Sequence, residues 1–176
     1  LNEDGTATVI TGSPDIGGSR ASMALMAAEE LGIDVYSITP VVADTEAVGF
    51  TDVTEGSRAT FATGKAVVEA CRELKVELCR RAAQTMGVDE AEVEWVDGAA
   101  ISPSHGGEPL TLAAITAQAK RTGGPLTATA SLNAAGAGPS FAVHCADLKV
   151  DEETGQTAIV RYTAVQDAGT AIHPSY

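Results

Sequence analysis

Residues 6–31 begin Thr6-Ala7-Thr8-Val9-Ile10-Thr11-Gly12-Ser13-Pro14-Asp15-Ile16-Gly17-Gly18-Ser19-Arg20-Ala21-Ser22 and run on to Leu31, with Gly32 behind it. The first six residues alternate as a half-buried strand does, and the glycines and Pro14 end that alternation. From Ser19, a residue type that favours helix starts, Ala24, Ala27, Ala28 and Leu31 fall on one helical face, and Gly32 is the stop. Strand, glycine loop, helix is therefore the unit that decides the fold. A fainter copy follows about forty residues on. Residues 35–43 read as a second strand, in which Pro40 marks an edge or a bulge, and residues 44–56 as a polar loop. Gly56-Ser57-Arg58-Ala59-Thr60 then repeats Gly18-Ser19-Arg20-Ala21-Ser22 with one conservative change, and opens the longest helix, to about Met86. On that helix Val67, Cys71, Leu74, Leu78, Ala82 and Met86 form a core stripe, while Glu69 with Arg72 and Glu77 with Arg81 read as ion pairs on its solvated side.

Beyond the second helix, residues 92–97 and 99–102 read as short strands and residues 103–109 as a loop. Residues 110–121 carry a weak helical stripe that ends at Gly123-Gly124-Pro125, and residues 127–132 are expected to form a strand. A glycine loop, 133–139, leads to the clearest hairpin, 141–150 and 157–165, closed by Asp151-Glu152-Glu153-Thr154-Gly155. This order predicts an α+β fold, a mixed or antiparallel sheet with two main helices packed on it. The whole chain, 1–176, is expected to be one domain segment, with 1–87 and 88–176 as possible sub-units.

Composition narrows the partners. A net charge of −13 and a pI near 4.4 repel nucleic-acid backbones and anionic membranes, so neither is an expected partner, and bound anions must be met by local groups. No apolar run approaches the roughly 20 residues of a membrane span. The first residue is Leu1 with no charged and apolar leader, which reads as a segment of a longer polypeptide. Aromatic residues make up only 4%, so small side chains fill the core. Cys71, Cys79 and Cys145 form no Cys-x-x-Cys pair and show no metal-ligand spacing with His105, His144 and His173. Unpaired cysteines suit a reducing cytoplasm, and no metal ligand is expected from this chain.

The doubled Gly-Ser-Arg motif carries the chemistry. A helix N-terminus presents unpaired N–H groups and the positive end of a dipole, and each copy adds a hydroxyl and a guanidinium. Small residues and serine also cap helices that bind nothing. Arg20 and Arg58, however, both fall in first turns, where a cation opposes the dipole unless an anion lies between them. Two such sites suit an elongated anion. Neither copy matches the P-loop or dinucleotide glycine patterns, and no Gly-x-Ser-x-Gly is present, so no nucleophile, acid or base is assigned. His105 and His144 read as a surface loop residue and a sheet residue.

The order of motifs resembles the molybdenum hydroxylases, the family of xanthine dehydrogenase, aldehyde oxidase and aerobic carbon monoxide dehydrogenase. The residues that carry it are Asp4-Gly5, Thr11-Gly12-Ser13-Pro14-Asp15-Ile16-Gly17, Ala28-Glu29-Glu30-Leu31-Gly32, Ala43-Asp44-Thr45 and Gly56-Ser57-Arg58-Ala59-Thr60, then Phe141, His144, Val150-Asp151, Thr154-Gly155, Asp167-x-Gly169 and Ala171-Ile172-His173-Pro174. The match is to part of the large, cofactor-binding subunit and spans essentially the whole chain. The resemblance implies a metal-binding molybdopterin, in many members its cytosine dinucleotide form, with phosphates on glycine- and serine-rich helix starts. It puts Gly17, Gly18, Ser19 and Arg20 near the pterin end, Gly56, Ser57, Arg58 and Thr60 at the dinucleotide part, and Asp44 and Thr45 on a cofactor-side turn. It also implies an oxidoreductase that hydroxylates or oxidises a small substrate with water-derived oxygen, whose iron-sulfur clusters and FAD sit on other domains or subunits.

The chain departs from the family at two points that matter. The first loop is usually Gly-Gln-Gly, with the glutamine near the metal, whereas here it is Gly17-Gly18-Ser19. The glutamate that serves the family as catalytic base follows a segment beyond Tyr176. On sequence alone two alternatives stand beside this reading: a non-catalytic isolated fragment, and a binding protein for another pyrophosphate-bearing nucleotide.

Overall fold

The chain is described from a computed structural model covering residues 1–173 apart from 107, 135 and 137–139. Pro174 at the end of the resemblance, Gly107 in the 103–109 loop and part of the 133–139 glycine loop lie outside the described residues.

Strand β1 (Ala7–Ile10) and helix α1 (Ser19–Leu31) form as the alternation and the stripe predict. Gly18 is the residue before the first helical turn, at φ 86°, and Gly32 ends the helix in the left-handed region with its N–H on the Ala28 and Glu29 carbonyls. Strand β2 (Ile38–Val41) pairs with β1 in parallel, Ala7 beside Ile38 and Val9 beside Pro40, so β1-α1-β2 is one crossover unit. The expected strand starts late because Asp34 accepts a hydrogen bond from the Tyr36 N–H at 2.9 Å and winds Val35–Ser37 into a 3-10 turn. Among the described residues β2 pairs with β1 alone, so Pro40 lies on an edge strand, where a missing N–H is tolerated.

The second helix opens with a π-helical turn, Ala59–Thr63, and continues as α2 (Gly64–Met86). Strands β3 (Glu94–Val96) and β4 (Ala99–Ile101) make a hairpin through Asp97-Gly98, both at positive φ as such a two-residue turn requires. Strand β5 (Leu110–Thr111) adds to β4, and Thr111 accepts from the Ala114 N–H to start α3 (Leu112–Thr116). After Gln118 leaves helical geometry a last turn, α4 (Ala119–Thr122), follows. Residues 127–132 form no strand: β-branched threonines alternate there, but among the described residues no strand pairs with them. The chain then makes β6 (Phe141–Val150) and β7 (Thr157–Asp167). The α+β expectation holds, with both main helices present and the strands distributed over three small sheets.

Two core clusters share α2. Ala24, Ala27, Ala28 and Leu31 of α1 meet Val67 and Cys71 over β1 and β2, and further along α2 Leu78, Ala82 and Ala83 meet Val93, Ala100, Leu112, Ile115 and Leu126. Burial, with Glu30 nearby, pushes the Cys71 thiol up to about 11, so it packs as a neutral side chain. Gly32 and Gly98 touch backbone to backbone. A Cβ on Gly32 would lie 2.6 Å from the Gly98 nitrogen, and one on Gly98 would lie 2.5 Å from the Gly32 oxygen. This contact, with the Trp95 indole N–H on the Leu31 carbonyl at 2.8 Å, fixes the β3-β4 hairpin to the end of α1.

One charged pair corrects the expected solvated face of α2. Arg72 does reach Glu69 at 3.0 Å on an exposed surface, and Lys75 and Arg72 both pair with Glu30. Arg81, by contrast, is only 4% exposed. It donates to Glu77 at 2.6 Å, the Ala119 carbonyl at 3.3 Å, the Thr122 hydroxyl at 3.0 Å and the Gly124 carbonyl at 3.4 Å. Hydrogen bonds from Arg80 first, and then from Arg81, hold the Glu77 carboxyl down at about 2.

Candidate functional site

Each of the two Gly-Ser-Arg copies lies between a loop and a helix start, yet their geometry differs. In the first copy Gly17 (φ 89°) and Gly18 (φ 86°) turn the loop back on itself. That brings Asp15 over the helix start. Its Oδ1 accepts from the Gly17 N–H at 3.2 Å and the Ser19 hydroxyl at 3.0 Å, and its Oδ2 accepts from Arg20 Nε at 3.1 Å and pairs with its Nη2 at 3.0 Å. The Ser19 hydroxyl, followed by the Arg20 guanidinium, holds the Asp15 carboxyl below its ordinary range. Ser19 is buried and Arg20 exposed. The anion that Arg20 requires in a first turn is thus supplied by the chain itself.

The second copy has no such clasp. Ser57 is held at φ 63°, a left-handed conformation that costs an L-residue about 1–2 kcal/mol. Its carbonyl accepts from the Phe61 N–H at 3.1 Å, an α-type bond that leads into the π turn at Ala59–Thr63, and π turns recur at functional sites. Arg58 is half-buried, and its Nε is shielded from solvent with no hydrogen-bond partner. Thr60 lies half-buried within the π turn, whereas Gly56 and Ser57 are exposed.

The loops meet through side chains that the motif reading did not single out. The Ser13 hydroxyl lies 2.6 Å from that of Thr63, on the turn that the second copy opens, and the Ser13 carbonyl accepts from the Ala43 N–H at 3.2 Å. Asp44 and Thr45 therefore follow directly on a residue bonded to the first loop. The Asp44 carboxylate accepts from the Glu46 and Ala47 N–H groups at 3.1 and 3.0 Å and shapes its own turn. At Gly12 a Cβ would come within 2.2 Å of the Thr51 hydroxyl, so the 44–56 loop presses on the first loop as well. Thr11, at the end of β1, is buried at 7% exposure with its hydroxyl unpartnered. The available signal for this seam was the run of hydroxyls at 11, 13 and 63 beside glycines. Above Gly17 and Gly56 an added Cβ would meet nothing within 4 Å, so both loops present open backbone.

The histidines stand apart from this seam. His105 closes an exposed 3-10 turn, and His144, exposed on β6, bonds through Nδ1 to the Tyr162 hydroxyl at 2.8 Å. Among the described residues no group of three or more His, Cys, Asp or Glu side chains is placed to hold a metal ion. Nor is any helix among them long and apolar enough to cross a membrane.

What the geometry defines is an α+β lobe with glycine-rich loops running into two helices, one with its arginine paired within the loop and one with an arginine whose Nε is buried and unpartnered. The molybdopterin cofactor-binding domain family matches residues 1–176, and the chain belongs to that family. It is 26% identical over 162 residues to the carbon monoxide dehydrogenase large chain of Hydrogenophaga pseudoflava, covering 89% of this chain and 20% of that one. It is 28% identical over 178 residues to the aldehyde oxidoreductase molybdenum-binding subunit of Escherichia coli (strain K12), covering 99% and 23%. Its fold is that of the Cu,Mo-CO dehydrogenase in the carbon monoxide reduced state, at TM-score 0.82 and 23% identity over 99% of this chain and 23% of that one. Quinoline 2-oxidoreductase from Pseudomonas putida 86 superposes at TM-score 0.80 with 21% identity, covering 99% and 23%. The expectation of a molybdenum hydroxylase large-subunit segment is borne out, and the chain spans about a fifth of the length of the curated relatives it matches.

Proposed function

We propose that this chain is the part of a molybdenum hydroxylase large subunit that grips a molybdopterin, in its cytosine dinucleotide form, on its two Gly-Ser-Arg loops. Gly17, Gly18, Ser19 and Arg20 would face the pterin end, Gly56, Ser57, Arg58 and Thr60 the dinucleotide phosphates, and Asp44-Thr45 would line the cofactor side. The observation that carries this reading is Arg58 Nε. A guanidinium N–H withdrawn from water without a partner is costly, and a phosphate oxygen is the acceptor that suits it. The unpartnered Thr11 hydroxyl and the open backbone over Gly17 and Gly56 fit the same ligand.

When bound, the cofactor would supply two-electron oxidation of a small substrate with oxygen derived from water. This chain's own residues bind and orient it and contribute no acid, base or nucleophile. Iron-sulfur clusters and FAD on other domains or subunits would take the electrons onward, in a cytoplasmic enzyme whose substrate pocket and catalytic base lie on the rest of the large subunit. Residues 1–176 act here as one lobe, in which 1–87 carry both loops and 88–176 buttress α2.

The test is molybdenum analysis of the intact large subunit together with nucleotide release on acid treatment. About one molybdenum and one cytosine nucleotide per subunit are expected. A subunit free of molybdenum would overturn the enzyme reading, and release of a different nucleotide would favour a carrier of another pyrophosphate.

A further inference from the structure

The β6-β7 hairpin has no place in the cofactor reading, and its pattern is unusual. All residues of both strands are exposed. In the ladder Val143 faces Val165 and Leu148 faces Ile159, so the two faces of the ribbon are set by these pairs and their neighbours. One face carries Phe141, Val143 and Val165. The other carries Leu148, Ile159 and Tyr162, and each of these six side chains is at least 56% exposed. A strand half-buried on a core alternates apolar and polar residues, whereas one buried on both faces reads as a near-continuous apolar run. Phe141-Ala142-Val143-His144-Cys145-Ala146 is of the second kind, yet neither face is covered by the described residues. A two-stranded ribbon alone in water is marginal at best.

The edges differ too. The register shifts at Asp147/Leu148, leaving Val160 of β7 as the extra residue, so β7 is a bulged strand. Bulges blunt an edge against further pairing. Strand β6 is ten residues long, free of proline and unbulged.

We infer that the hairpin is an insertion element of the complete large subunit. Apolar surface from the remaining polypeptide covers both of its faces, and a strand from that polypeptide adds along the outer edge of β6. The occupant is argued from length: this chain spans 20% and 23% of its relatives, so about four-fifths of a subunit of their size lies outside it. The inference rests on the reading of the chain as one lobe of a longer subunit and does not depend on which cofactor that subunit holds.

Amide hydrogen exchange on the intact large subunit, read at single-residue resolution, tests it. The β6 amides that point away from β7 should exchange at least about a hundredfold more slowly than the outward amides of β7, and the difference should not change with protein concentration. Equal, fast exchange on both edges would overturn the inference, as would protection lost on dilution, which would make the occupant a second copy. Val143→Glu and Tyr162→Glu, one on each face, should each lower the melting temperature of the intact subunit; an unchanged melting temperature for either would overturn two-sided coverage. If a variant fails to fold, the exchange measurement on the natural protein still decides. Molybdenum content, measured in the same samples, reports separately on the cofactor reading.

Discussion

Gly18-Ser19-Arg20 and Gly56-Ser57-Arg58 are near copies in sequence and unlike in physics. The first spends its cation on Asp15, five residues upstream, and its left-handed positions on Gly17 and Gly18, which adopt them at no steric cost. The second places serine where glycine would be comfortable and leaves Arg58 Nε dry and unpaired. The charge of the first loop is met within the chain, whereas the second keeps a left-handed serine and an unpaired arginine Nε. Local strain and an unmet polar group at one position are what a binding site retains and a purely structural loop discards.

The largest test of that contrast is Arg58→Ala in the intact subunit. Retained cofactor should fall about tenfold or more, the worth of a charge-assisted hydrogen bond, while the melting temperature of the cofactor-free protein stays level. Cofactor content after gel filtration measures the first and calorimetry the second; undiminished content would erase the distinction between the copies. Next in size is a reciprocal exchange of backbone types. Gly18→Ala should destabilise by about 1–2 kcal/mol, because alanine resists φ 86°. Ser57→Gly should instead stabilise by about 0.5–1 kcal/mol, strain relief less the added freedom of the unfolded chain. Denaturant midpoints of the two variants should move in opposite directions.

A smaller effect is expected from Asp15→Asn, which keeps the shape of the first clasp and removes its charge. The melting temperature should drop by about 2–4 °C, the scale of one weakened charged hydrogen bond. The smallest is the acid limb of that same group. The folded Asp15 carboxyl titrates below its ordinary value of 3.8, so its contribution is complete above that value and is lost as pH falls through the lower folded one. Melting curves of the natural protein should therefore lose stability below about pH 4. The Asp15→Asn variant should lose less; parallel curves would show that the clasp is not coupled to folding.

Much of this was legible in the chain. The bounds of α1 follow from Gly18, the alanine stripe and Gly32, and the long hairpin follows from two β-prone runs on either side of the Asp151–Gly155 turn. The paired loops were legible as motifs. What the motifs could not show was that two consecutive left-handed glycines fold Asp15 back onto Arg20, since that contact depends on dihedrals that glycine permits without requiring. Arg81 was misread for a different reason. It falls three residues after Leu78, on the core stripe, but a stripe counted in apolar residues passes over a charge. Residues 127–132 have strand composition, and β propensity expresses the fit to a neighbouring strand, which no described residue supplies there.

Arg81 has a consequence for how the lobe would be loaded. One guanidinium ties α2 to the carbonyls of Ala119 and Gly124, and a Cβ at Gly123 would lie 2.9 Å from its central carbon. Arginine does not lose its charge, and Glu77 keeps its own down to about pH 2, so the tie is indifferent to physiological pH. The half of the lobe behind α2 is held by contacts within the chain itself. The strained backbone lies at the other end of the same helix, at Ser57 beside the π turn. A cofactor on this lobe would meet a braced helix at one end and strained backbone with an unpaired arginine Nε at the other.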